Sequence, residues 1–223
     1  MKVILFGATG MVGQGVLREC LLEPEVQSIL SVGRSATGLQ HEKLVELAPT
    51  NIMDLTTIEG NLVGYDACFF CLGVSSAGMT EQDYNRVTYD ITLAVAETLV
   101  RLNPEMTFVY VSGTGTDSTE NGRSMWARVK GKTENALLRL PFKAAYMFRP
   151  GFIQPMHGIV SKTKIYRMLY AVGGPLYPVL NRLLPNYVTT TEKIGRAMIA
   201  VAQQGYPKPL LENKDINSIC NLK

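Results

Sequence analysis

The stretch VILFGATGMVGQGVL, residues 3–17, limits the possible folds more than any other part of the chain. An unbroken apolar run, Val3 to Phe6, passes into glycines at 7, 10 and 13. These open a segment in which Met11, Val12, Val16, Leu17 and Leu21 recur at roughly helical spacing, until Pro24 stops it. In such a turn one residue without a Cβ makes the sharp bend and a second lets the backbone approach a pyrophosphate. A third lets helix and strand pack closely, and the helix amino end supplies free N–H groups and positive dipole potential. With a strand before it and a helix after it, the turn predicts a dinucleotide site.

The same grammar repeats along the chain. Continuous apolar runs rich in β-branched and aromatic residues occur at Ile29 to Val32, Leu44 to Leu47, Ala67 to Leu72, Phe108 to Val111 and Ala144 to Phe148. Unbroken rather than alternating runs suit strands covered on both faces. Helical stretches are expected at Met11 to Glu23, about Glu81 to Arg101, about Ser124 to Leu140 and about Glu192 to Gln204. The alternation predicts an α/β, doubly wound parallel sheet of about six or seven strands with helices on both faces. No Pro/Gly/Ser-rich linker divides the 223 residues, so a single domain is expected. Residues 152–191, with Gly173, Gly174, Pro175, Pro178 and Pro185, read as a small lid or substrate-side segment.

Composition excludes several classes. With 46% hydrophobic and 18% charged residues and no repeat, the chain is ordinary for a globular domain. The apolar amino-terminal run is too short for a signal-peptide core, and a cytoplasmic protein is expected. Cys68 and Cys71 lie three apart inside an apolar strand, where their side chains point to opposite faces, so they read as two core thiols rather than a redox pair. No metal site, nucleophilic triad or nucleic-acid motif is present. The net charge is only +3, but no acidic residue falls between Glu134 and Glu192, and that segment carries Arg139, Lys143, Arg149, Lys162, Lys164, Arg167 and Arg182. A small-molecule substrate, an anionic one in particular, suits that charge. Within it, 162–186 mixes aromatics, leucines and cations. It reads first as an apolar lid, with an anionic membrane surface or a dimer face as alternatives. The chain is expected to be a monomer or a homodimer.

The second strand points to which dinucleotide is bound. In SILSVGRSATG the carboxylate that would grip an NAD ribose is missing, and Arg34 and Ser35 stand in its place. Guanidinium and hydroxyl groups suit a 2′-phosphate, so NADP(H) is favoured over NAD(H).

Taken in order, G-x-x-G-x-x-G, V-G-R-S, Asp54-Leu55, FFCLG, VYVSGTG, W-x-x-x-K and FRPGF resemble the short-chain dehydrogenase/reductase superfamily. The resemblance is closest to its atypical branch, with NmrA-like, Tat-interacting-protein-like and small epimerase-like members. It implies that Gly7, Thr9, Gly10, Met11, Val12 and Gly13 form the pyrophosphate turn. By the same resemblance Arg34 and Ser35 take the 2′-phosphate, and Asp54 and Leu55 form the adenine edge. Cys71, Leu72 and Gly73 pass the adenosine ribose, Lys130 bonds the nicotinamide ribose, and Pro150, Gly151, Phe152 and Ile153 receive the carboxamide. Ser112 matches the family's catalytic serine.

The departure is Trp126. The family carries a tyrosine there that delivers a proton, its pKa lowered by the lysine at Lys130. An indole offers one weak N–H and does not titrate near neutrality. No tyrosine occurs between Tyr110 and Tyr146, so a shifted alignment does not restore one. Thr88, where the family often has asparagine, is a second departure. Water, Ser112, Tyr84 or Tyr89 are the remaining proton sources, although both tyrosines read better as packing or surface residues. His157 follows the FRPGF turn and is the better functional candidate of the two histidines. Two readings stay open: an NADP(H)-dependent oxidoreductase or epimerase-like enzyme with unusual acid catalysis, and a non-catalytic NADP(H)-sensing regulator.

Overall fold

The computed structural model describes residues 1–159 and 182–220. The strands are β1 (Lys2–Phe6), β2 (Ser28–Val32), β3 (Leu44–Leu47), β4 (Ala67–Phe70), β5 (Thr107–Val111), β6 (Ala144–Arg149), β7 (Phe152–Gln154), β8 (Val188–Thr190) and β9 (Leu210–Glu212). The helices are α1 (Met11–Leu22), α2 (Glu81–Asn85), α3 (Ile91–Leu102), α4 (Met125–Leu137), α5 (Thr191–Gln204) and α6 (Asn213–Ile219).

Seven strands form one parallel sheet in the order β3-β2-β1-β4-β5-β6-β9. The chain moves outward from β1 to β3, returns to β4 beside β1, and then moves outward the other way. A crevice must therefore open at the carboxyl ends of β1 and β4, where the direction reverses. Register fixes it: Phe6 pairs with Val32 on one side and Phe70 on the other, and Val111 pairs with Phe148.

Alternate residues of the apolar strands feed two cores. Val3 and Leu5 join Val16, Leu17, Ile194, Met198 and Ile216 beneath α1, α5 and α6. Ile4 and Phe6 join Val95, Leu99, Phe108, Tyr110 and Leu137 beneath α3 and α4. Cys68 is in the second core and Cys71 packs on the first, so the two thiols do face opposite ways. None of the four cysteines is joined in a disulfide.

The structure departs from the sequence expectation in three places. The helix expected at 81–101 is interrupted by a π turn, Arg86–Asp90, with Thr88 buried inside it. Widened turns of this kind redirect the side chains that follow. The seventh strand, β9, is only three residues long, below what an apolar-run criterion detects. The segment after Gly151 opens with a separate parallel pair, β7 and β8, and the rest of the expected lid, residues 160–181, lies outside the described residues. Among the described residues no helix is long and apolar enough to cross a membrane.

Candidate cofactor crevice and active site

A cavity of about 860 Å³ opens at the topological switch point. Its wall brings together Gly7, Thr9 to Val12, Arg34, Ser35, Cys71 to Gly73, Ser112, Lys130, Pro150, Gly151 and Ile153, from five strand ends and two helices. A second cavity, of about 310 Å³, lies between α1, α5 and α6 beside the buried Glu19, and holds none of the sequence-predicted site residues.

The glycine turn is built as its sequence requires. Gly7 has φ +82°, and a Cβ there would stand 2.7 Å from Leu72 N. A Cβ on Gly13 would stand 2.1 Å from Gly7 O, so Gly13 serves helix–strand packing and is absent from the crevice wall. Helix α1 starts at Gly10 with no side-chain cap and no acid in its first turn. Its first N–H groups lack intrahelical partners, and their partial positive charge faces the crevice unneutralised. Two cations, Arg34 and Lys130, are the charged side chains on the wall among the described residues. An extended polyanion fits this arrangement.

Asp54 and Leu55 lie outside the wall. Leu55 is buried in the second core. Asp54 is exposed and its carboxylate accepts from Thr56 N at 3.1 Å and Thr56 Oγ1 at 2.6 Å, contacts that hold its pKa low. Phe152 is also off the wall, its N–H bonded to Tyr187 O at 2.8 Å.

At the other end of the crevice, Lys130 Nζ donates to Ser112 O at 2.5 Å and lies 3.4 Å from Val111 O. Burial pushes its pKa down to about 8. Ser112 departs from the role expected of it. Its residue borders the crevice, but the hydroxyl turns inward, donating to Glu134 Oε1 at 2.5 Å and lying 3.1 Å from Phe148 O. Glu134 is 0% exposed and is held by Arg149, which also reaches Ser118 and Glu212. Arg149, counted above toward an anion-attracting segment, therefore spends its charge inside the protein.

Thr114 is the hydroxyl residue that sequence reasoning missed. It lines the crevice while its Oγ1 donates to Arg149 O at 3.0 Å, leaving its lone pairs free to accept. The run S-G-T-G-T contains the signal, but only the geometry tells which hydroxyl turns inward.

Trp126 sits one helical turn before Lys130, its ring edge on Gly115 just past the wall residues Gly113 and Thr114. A Cβ on Gly115 would be 3.5 Å from Trp126 Cη2. Neither alternative tyrosine reaches the crevice: Tyr84 is buried, and Tyr89 lies under Lys132 Nζ, 4.1 Å from its ring centroid. His157 is paired with Glu192, its Nε2 2.8 Å from Oε2. Among the described residues no cluster of side chains could hold a metal ion.

No protein-family model matches the chain. It is 30% identical over 153 residues to Protein FMP52-2, mitochondrial, of Scheffersomyces stipitis, a match covering 67% of this chain and 65% of the relative. It is 26% identical over 154 residues to Protein HTATIP2 of Rattus norvegicus, covering 68% of this chain and 62% of the relative. The matches thus span just under two thirds of these relatives. Among solved structures, the Bordetella bronchiseptica enzyme WbmF, determined in complex with NAD+, superposes with a TM-score of 0.66 over 99% of this chain and 77% of its own, at 16% identity. The chain thus shares the doubly wound Rossmann-like fold of that enzyme. HTATIP2 bears out the Tat-interacting-protein-like resemblance. The cytoplasmic expectation is corrected: FMP52 relatives from several fungi are named mitochondrial, which points away from it. The sequence signal used for that expectation, a missing signal-peptide core, bears on secretion alone.

Proposed function

We propose that this crevice, in a single domain, binds a nicotinamide dinucleotide, NADP(H) in preference to NAD(H), and serves an oxidoreductase or epimerase-like reaction on a small molecule. The carrying observation is that the uncapped, acid-free amino end of α1 opens on a wall whose charged side chains, among the described residues, are both cationic. In this reading the backbone of Thr9 to Val12 holds the pyrophosphate, and Arg34 and Ser35 hold the 2′-phosphate. Cys71 to Gly73 pass the adenosine ribose, Lys130 bonds the nicotinamide ribose, and Pro150, Gly151 and Ile153 meet the carboxamide.

When bound, the nicotinamide supplies or accepts a hydride. The chain's own part is to bind, orient and exclude water. Lys130 is anchored by two carbonyls and so presents a fixed donor. Thr114 offers an acceptor beside it, and Ser112, its hydroxyl engaged by Glu134, works by shaping the wall. With Trp126 at the position of the family's tyrosine, the proton comes from water rather than from a phenol, and Thr114 is placed to accept from that water. Trp126 also favours a second reading, a sensor that binds NADP(H) without turnover and reports it to a protein partner.

Trp126 is the chain's one tryptophan. NADPH is expected to quench its emission saturably and more tightly than NADH; unchanged emission at saturating NADPH defeats the site assignment. NADPH oxidation with a carbonyl, quinone or flavin acceptor then separates enzyme from sensor.

A further inference from the structure

Beneath the crevice wall lies a buried ionic cluster that binding and proton transfer do not account for. Glu134 is fully buried on α4 one turn after Lys130, so the two side chains share a helix face. Its carboxylate accepts the Ser112 hydroxyl at 2.5 Å, Arg149 Nε at 3.0 Å, and Arg149 Nη2. Ser112 is held twice, by Glu134 through its hydroxyl and by Lys130 through its carbonyl.

Every element packed here contributes a group. Tyr110 comes from β5, its ring centroid 5.9 Å from Lys130 Nζ, and Tyr84 comes from α2. Arg149 belongs to β6, and Glu212 comes from β9. Glu212 is 43% exposed and reaches Arg149 at 3.3 Å. Glu134 is thus the fully buried carboxylate of the cluster.

We propose that Glu134 is a positioning residue of the crevice: its buried carboxylate clamps Ser112 from beneath and, one helical turn after Lys130 on the same face, supplies the negative charge beside which that side chain meets the ligand. The clamp stands on the cluster alone; its consequence for ligand binding rests on the dinucleotide reading above. Burial by itself drives the Lys130 amine toward neutrality, and the Glu134 charge works the other way. Remove that charge and Lys130 keeps its burial while losing its compensation.

The test reads Lys130 directly, without cofactor. Competitive labelling with acetic anhydride, from about pH 6 to about pH 10, is quantified by mass spectrometry on the peptide carrying Lys130, which gives the amine's titration midpoint. The wild type is expected near 8. Glu134→Gln should move the midpoint down by about one unit or more, Glu134→Asp should fall between the two, and Glu212→Gln should leave it in place. If Glu134→Gln does not fold, the Asp variant carries the same reading on a smaller scale. An unmoved midpoint in the Glu134 variants, or an equal shift in Glu212→Gln, overturns the proposal. A parallel titration shows whether Glu134→Gln weakens NADPH binding as Lys130→Met does. If the wild type binds no NADPH, the dinucleotide reading fails while the labelling result still decides whether Glu134 governs Lys130.

Discussion

Replacing Arg34 by Ala isolates the choice of dinucleotide. Arg34 is exposed at the carboxyl end of β2, so its removal leaves no hole in the core. Surface changes of this sort alter stability by about 0.5 kcal/mol or less, and the melting temperature should stay put. A hydrogen bond to a charged group contributes about 1.5–3 kcal/mol. Discounted for exposure and salt screening, ~1–2 kcal/mol is a fair expectation at this site. That corresponds to about 5- to 30-fold weaker NADPH binding, with NADH affinity unchanged because NADH carries nothing for the guanidinium to grip. The assay is a pair of fluorescence titrations at two ionic strengths, and the ratio of the two dissociation constants is the readout. Equal loss for both nucleotides, or no loss for either, would refute the assignment of Arg34 to the 2′-phosphate.

Gly13→Ala puts a methyl 2.1 Å from Gly7 O. The overpacking should cost ~3 kcal/mol, seen as a melting temperature lower by about 6–12 °C and weaker dinucleotide binding. Trp126→Tyr restores a phenol one turn before Lys130, and an increase in turnover of about 100-fold or more is expected if only the acid is missing; no gain in steady-state assays favours the sensor. Affinity for NADPH should be level below pH about 8 and decline above it as Lys130 loses its proton, a dependence absent in Lys130→Met. Because this amine is depressed from 10.5 to about 8, the unfolded chain holds more protons between those values. The lysine's contribution to stability therefore rises with pH across that window, and comparing thermal melts of wild type and Lys130→Met at pH about 7 and about 9 checks the sign.

The parts of the fold legible in the sequence were those with strong local signals. The run Val3 to Phe6 and the glycines behind it placed the first strand, turn and helix within a residue or two, because burial on both faces and a bend without Cβ atoms leave few alternatives. β9 was invisible because three residues, Leu210 to Glu212, carry no periodicity; β6 supplies their partner groups. The site divides in the same way. Arg34 and Lys130 were readable from motif spacing and both line the crevice. The inward turn of Ser112 was not, since it depends on Glu134, 22 residues later, and Arg149, 37 residues later, meeting beneath it. Leu55 went to the core for a similar reason: a short 3₁₀ helix, Thr56–Asn61, follows it, and Asp54 stabilises that helix's start.

The position of β9 also bears on the order in which the molecule can be completed. Arg149 leaves the ribosome with β6, but Glu212, the second carboxylate it binds, is made 63 residues later and reaches it by parallel pairing of β9 with β6. Until then the guanidinium has Glu134 and Ser118 as its partners, and β6 is an open sheet edge. A nascent chain stalled short of residue 212 would expose that edge, the kind of surface that recruits chaperones or mispairs with another strand. β9 therefore completes two things at once, the open edge of β6 and the ion-pair network around Arg149.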